Sequence, residues 1–344
     1  MAYKSDFDEY KLLGEPEKAE KSEMWKTAIG LQQVDGLTPS EYLIKTAKQN
    51  IEGDITFYEV QERLNGYYKA KPAQAADDRT EEADKVAARI AEILSEKTFS
   101  FSPAEYIMIH KRLFVGIYKF AGQIRDFNIS KDEWVLNGET VYYASADSIG
   151  ATLNYDFEQE KAYQYKGLSK EQTVEHIAKF VSGIWQIHAF GEGNTRTTAV
   201  FSIKYLRTLG FSVINDLFSD HSWYFRNALV RANYNDHKKN IYSTYEFLKS
   251  FFKNLLLGES TPLKNRDLRV AKLINTDVPV NVPVKRKNEI VKRLITNPNL
   301  TAKELAAMFS VTDKTIRRDL SVLRNEGKII RVGSDKSGYW KVIQ

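Results

Sequence analysis

Nine residues near the middle of the chain, His188-Ala189-Phe190-Gly191-Glu192-Gly193-Asn194-Thr195-Arg196, constrain this sequence more than any other stretch. Upstream, Ile177, Phe180, Val181, Ile184 and Trp185 recur at the spacing of one helix face; downstream, Thr197 to Leu206 resumes a helical pattern that stops before Gly210. Between them, Gly191 and Gly193 break the period and let backbone approach a ligand closely. The pattern predicts a glycine loop feeding a helix N-terminus. Such a loop binds anions, because first-turn N–H groups lack partners and the helix dipole adds partial positive charge.

The side chains fit a phosphate site. Arg196 brings a full positive charge, and Asn194 can add a hydrogen bond. Glu192 would repel a bare phosphate, so its presence makes sense with a divalent cation, Mg²⁺, between carboxylate and phosphates. His188, at the loop entrance, is the side chain suited to take a proton near neutral pH. A buried histidine ending a helix and a plain Gly-x-Gly turn are the structural readings of the same residues. Base, glycines, carboxylate, amide and arginine within nine residues favour the functional one.

At these residues the chain resembles the Fic (Fic/Doc) family, whose motif runs His-Pro-Phe-x-Asp/Glu-Gly-Asn-Gly-Arg-x-x-Arg. His188, Phe190, Glu192, Gly193, Asn194 and Arg196 match; Ala189, Thr195 and Ala199 stand in place of Pro, the second Gly and the final Arg. The resemblance implies that His188 deprotonates a target hydroxyl, whose oxygen attacks the α-phosphate of ATP. It further implies that Glu192 holds Mg²⁺ and that Gly191, Gly193, Asn194, Thr195 and Arg196 form the phosphate site. With Ala199 in place of the final Arg, terminal-phosphate binding is expected to weaken, and the resemblance leaves activity and nucleotide choice open.

Other stretches are similar to the same family. The run Leu113-Phe114-Val115-Gly116-Ile117-Tyr118-Lys119-Phe120-Ala121-Gly122, ending at Arg125, resembles its Leu-Phe-x-x-Ile-Tyr-x-Trp-Ala-Gly segment; His110 falls on the apolar side of the preceding helix and reads as core. Glu133 to Leu136 and Thr140 to Tyr143 flank Asn137-Gly138, a two-residue turn suited to a tight hairpin. In the family a hairpin flap pairs with the extended target, a role that would fall to Trp134, Val135, Leu136, Thr140, Val141 and Tyr142. Tyr224, Phe225 and Asn233 are the nearest candidates for holding adenine and ribose. Glu52-Gly53 resembles the end of the family's inhibitory helix, but Lys48 replaces its Ser/Thr and Ala199 its partner Arg. That makes Glu52 an inhibitory candidate whose salt bridge is lost or altered; the plain reading is a solvated helix end.

Charge separates the C-terminal region from the rest. From residue 281 onward there are 14 Lys/Arg against 6 Asp/Glu, leaving 36 against 39 upstream, so an acidic partner such as DNA is expected at the C-terminus. There, Lys287 to Ile295, a helix opened by the Thr301-x-x-Glu304 capping box, and a third helix capped by Thr312 precede two alternating strands. This resembles a DeoR-type winged helix, with Lys314, Thr315, Arg317 and Arg318 on the recognition helix and Arg331 and Lys336 on the wing.

Absence of cysteine excludes disulfides, thiol catalysis and Cys-ligated zinc. With no apolar h-region at the N-terminus and no apolar run of membrane-spanning length, a cytoplasmic protein without membrane contact is expected. The expected fold is mainly α: a helical N-terminal extension (1–70), a Fic core with β-hairpin flap (71–257), a linker (258–284) and a winged helix (285–344). The expected function is Mg²⁺-ATP-dependent transfer of AMP to a Ser, Thr or Tyr hydroxyl of a target protein, with a homodimer allowed. The alternatives are transfer of another phosphorus-containing group and a non-catalytic nucleotide sensor that regulates DNA binding.

Overall fold

The computed structural model describes every residue except 1–6, 11–14, 71–78, 214–215, 271–282, 310, 326, 334–337 and 344. Lys336 and residues 271–282 of the expected 258–284 linker therefore lie outside the described residues. The chain divides into two units, Met1–Val270 and Ala271–Gln344.

In the first unit, local signals set the helices. After a helical turn at residues 7–10 (α1), α2 spans Pro16–Gly30 and tightens into a 3₁₀ turn, Leu31–Asp35. α3 (Glu41–Glu52) starts where the Ser40 hydroxyl accepts from the Leu43 N–H and ends at Gly53, which takes φ 88°. α4 (Phe57–Ala70) and α5 (Thr80–Ser95) follow. Ser102 caps α6 (Pro103–Phe114), with Pro103 in the first turn. Beyond α7 (Ile149–Ala162), a capping box of Ser169 and Gln172 opens α8 (Lys170–Ile187). α9 (Asn194–Thr208) is the central element, buried continuously from Asn194 to Leu206 and packed against α5, α6 and α8. Helices α10 (Leu217–Ala232), α11 (Glu246–Leu257) and α12 (Asn265–Leu268) complete the unit.

The packing fixes the motif from behind. Trp185, Phe190 and Phe201 are each fully buried, and every such side chain contributes roughly 1.5–3 kcal/mol by leaving water. Part of the segment read as linker also belongs here, since Leu263, Leu268 and Val270 are buried in the core of the first unit.

The flap doubles back at the expected place. Asn137 and Gly138 both have positive φ, 58° and 93°, and Glu133 N–H donates to Glu139 O at 2.9 Å. Its flanks are not paired as strands: Trp134–Leu136 forms a 3₁₀ turn. Tertiary contacts explain the difference. Val135 and Leu136 are buried, Val135 O accepts from Val270 N–H at 3.0 Å, and Trp134 packs near Trp223.

The second unit contains α13 (Pro283–Thr296), α14 (Ala302–Phe309) and α15 (Asp313–Asn325), then an antiparallel pair, β1 (Ile329–Val332) and β2 (Tyr339–Val342). Thr301 and Glu304 form the expected capping box, with reciprocal bonds of 2.8 and 3.2 Å. Ile290, Leu294, Leu305, Ile316, Leu323 and Ile329 form its core, and the buried Arg286–Asp319 pair (2.5 Å) ties α13 to α15. Among the described residues, no helix is long and apolar enough to cross a membrane.

Candidate active site

α8 ends on the histidine itself. His188 caps the helix with φ 51° and ψ 56°, the left-handed region that a non-glycine residue enters at a cost. This turn swings its ring back under the helix end, 3% exposed, with Nδ1 3.3 Å from the Trp185 carbonyl oxygen and the Tyr143 ring 4.1 Å away. Donation from Nδ1–H to that carbonyl leaves Nε2 as the acceptor nitrogen, and Nε2 is buried with no hydrogen-bond partner. Burial, then the positive charge of Lys131, holds the imidazolium pKa well below its ordinary value, so the ring is neutral at physiological pH. A neutral imidazole with one free acceptor can take a proton.

The loop after it is closed by Asn194, whose Oδ1 accepts from Phe190 N–H (2.9 Å) while its Nδ2 donates to Phe190 O (2.7 Å). Asn194 was expected to hold phosphate; here its amide fastens the loop. Thr195 likewise accepts from the Trp185 indole N–H at 3.0 Å. Gly193 takes φ 80° at the start of α9, and a Cβ there would lie 2.4 Å from the Phe114 ring, so the position admits only glycine. Its N–H donates to Glu192 Oε1 at 3.1 Å. Gly191 lies open by comparison, a Cβ meeting Phe120 at 3.4 Å.

Glu192 receives Lys131 Nζ on both carboxylate oxygens, at 3.1 and 3.0 Å. Burial favours its neutral form, but Lys131 and the Gly193 N–H outweigh this and hold its carboxyl below the ordinary range. Behind the loop, His110 accepts from Gly122 N–H on Nδ1 (2.9 Å) and donates from Nε2 to Glu192 O (3.0 Å), its ring stacked 3.7 Å from Phe190. Burial pushes its pKa down to about 4. It is a core residue, as its apolar face suggested, and it also clamps the loop.

Arg196 departs from its expected role. Its guanidinium is fully buried, paired with Asp35 (2.8 Å) and Glu82 (2.6 Å), bonded to Gln32 (3.0 Å) and set against the Phe114 ring. Its donors are turned toward the N-terminal helices, because two carboxylates there stabilise a charge that would otherwise be desolvated.

Three other expected placements differ. Phe225 packs among Phe218, Phe251 and Phe252; Tyr224 is buried with its hydroxyl on Phe247 O; and Asn233 bonds Ser182 and Leu229 at the end of α10. These adenine candidates join helices within the core. Glu52 pairs with Lys18 at 2.8 Å and Tyr10 bonds its carboxylate, while the carboxylates on a motif arginine are Asp35 and Glu82. Of the flap residues, Val141 is buried, Thr140 Oγ1 accepts from Lys131 N–H, and Tyr142 is 81% exposed.

Several residues of the site had no role assigned from the sequence. Arg125 donates to the carbonyls of His188 (2.8 Å), Phe127 (2.6 Å), Ala144 (2.5 Å) and Ile187 (3.3 Å). Tyr143 bonds Glu133, which forms a buried pair with Arg226 at 2.6 Å and so ties the flap to α10.

The family model for the Fic/DOC family matches residues 100–206, and that for the DeoR-like helix-turn-helix domain matches residues 286–333. The chain is similar to the protein adenylyltransferase VbhT of Bartonella schoenbuchensis, 27% identical over 105 residues; the match spans 30% of this chain and 21% of that protein. Among solved structures it is similar to a Fic family protein from Desulfovibrio desulfuricans (TM-score 0.44, 12% identity, 94% of this chain and 87% of that one). It is also similar to the BepC protein of Bartonella tribocorum with bound AMPPNP (TM-score 0.39, 19% identity, 58% and 86%). The loop that presents His188 thus belongs to a Fic/DOC family domain, carried in this chain together with a C-terminal DeoR-like helix-turn-helix domain.

Proposed function

We propose that the first unit is a protein adenylyltransferase that moves AMP from ATP to a Ser, Thr or Tyr hydroxyl of a target protein. The observation that carries this reading is His188 Nε2, a buried acceptor with no partner, one loop away from a helix N-terminus. In the reaction the target hydroxyl gives its proton to Nε2 while its oxygen attacks the α-phosphorus. The bond from that phosphorus to the bridging oxygen of pyrophosphate breaks, leaving an AMP ester on the target. The amides opening α9 face the charge that develops on the phosphoryl group. Arg125, fixing the His188 carbonyl, keeps the ring aimed.

The donor set fits a magnesium nucleotide. Glu192 offers a carboxylate that already draws a cation, Lys131, and Mg²⁺ is commonly held by one or two carboxylates together with substrate phosphates. Bound there, the ion would neutralise phosphate charge; Glu192 would hold it from the protein side. The similarity to a protein adenylyltransferase over 105 residues supports the same reading.

For the second unit, DNA binding is supported by the exposed Lys314, Arg317 and Arg318 on α15, with Thr315 half-buried beside them. Expression of the protein with cell extract, followed by mass spectrometry for AMP-modified peptides, tests the main reading. Modified peptides that vanish with His188→Ala support it; the same peptides in the variant contradict it.

A further inference from the structure

The cations around the motif are unequally committed. Arg196 is held by Asp35 and Glu82, Arg226 by Glu133, and Arg125 by four backbone carbonyls. Lys131 differs. It stands on the flap, where its own N–H donates to Thr140 Oγ1 across the two arms, and its ammonium reaches both oxygens of Glu192. Side-chain exposures of 24% for Lys131 and 36% for Glu192 place this pair at the solvent side of the loop, where a four-carbon stem leaves the ammonium free to turn.

Glu192 poses a problem for any anionic ligand. A carboxylate beside the amides of a helix N-terminus cancels much of their attraction for phosphate. A divalent ion arriving with the ligand is one solution. Glu192 is one carboxylate, and Mg²⁺ held by one or two carboxylates takes its remaining ligands from water and substrate phosphates. Lys131 supplies a second solution from within the chain.

We propose that Lys131 replaces the divalent ion at Glu192, so that the loop binds nucleotide phosphates without metal. With Mg²⁺ present, the ion takes Glu192 and Lys131 turns to the phosphates as a point charge. This inference rests on the nucleotide-binding reading above, and it assigns Lys131 the neutralising charge that the motif loses in having Ala199.

The test is calorimetric titration of the full-length protein with AMPPNP, in EDTA and in excess Mg²⁺, for the wild type, Lys131→Met and Lys131→Arg. The wild type is expected to bind in both buffers, with affinities within about tenfold of each other. Lys131→Met should lose at least about tenfold in EDTA and little in Mg²⁺, while Lys131→Arg keeps binding in EDTA. Wild-type binding that requires Mg²⁺, or a Met variant whose loss is equal in the two buffers or absent in both, would overturn the inference and leave the nucleotide reading standing. No binding by any protein in either buffer would remove the nucleotide reading and this inference with it. Thermal melts of the variants separate misfolding from loss of charge, and the Arg variant carries the decision if the Met variant is unfolded.

Discussion

Arg125 Nε donates to the carbonyl oxygen of His188 at 2.8 Å, and its backbone N–H donates to the carbonyl of Ala189 at 2.9 Å. A residue 63 positions away thus holds the two peptide units that follow a histidine in left-handed conformation. Arg125→Lys keeps the charge and loses the fork that reaches four carbonyls. It should lower the transfer rate about a hundredfold, the scale of a small misplacement of a reacting group, with nucleotide affinity nearly unchanged. Steady-state kinetics beside a binding titration checks this; equal losses in both would assign Arg125 to binding.

The two glycines of the loop should respond differently. Gly193→Ala demands a left-handed alanine and drives its Cβ into the Phe114 ring, costing roughly 3 kcal/mol. Gly191→Ala meets Phe120 at ordinary contact distance and should cost under about 1 kcal/mol. Denaturant melts of both variants measure the difference.

His110 makes stability depend on pH. Its pKa is lowered from 6.5 to about 4 in the folded state, so the unfolded chain binds the extra proton first as pH falls. The stabilisation is fully present above pH 6.5 and is lost progressively down to pH 4. It amounts to about 3 kcal/mol. Wild-type stability should therefore fall more steeply across this window than that of His110→Gln, which does not titrate. Parallel slopes would show that His110 is not the group responsible.

Arg318 is exposed on α15, whereas Asp319 beside it is buried on Arg286. Arg318→Ala should flatten the dependence of log DNA affinity on log salt by about one unit without unfolding the second unit, if the arginine meets a phosphate. Binding isotherms at several salt concentrations measure it.

How far the sequence disclosed this arrangement depended on distance along the chain. α8 and α9 were legible because the apolar stripe of α8, the helical pattern from Thr197 to Leu206 and the break at Gly191 and Gly193 are local. The motif's outline was legible for the same reason. Lys131 and Asp35 reach the motif only through folding, and nothing in their own neighbourhoods marks them; Arg125 ends a run that resembles the family, but its reach to the His188 carbonyl is set by the fold. The opposite error arose at Tyr224, Phe225 and Asn233, where residue types suited to a base and ribose instead pack α10 against α11 and α8. Arg196 shows why type alone misleads: a guanidinium at a phosphate loop is drawn to carboxylates from behind as readily as to a ligand in front. The flap shows how burial overrides turn chemistry, for Asn137-Gly138 reverses the chain while Val135 and Leu136 turn inward as 3₁₀ structure.

The central claim, that His188 activates a hydroxyl to take AMP from ATP, is tested most directly by label transfer. The protein and its His188→Ala variant are incubated with Mg²⁺ and either α- or γ-labelled ATP, with cell extract. The account predicts that α-label alone becomes attached to protein, and that the variant abolishes it. Attachment of γ-label, or α-label transfer that persists in the variant, would contradict it.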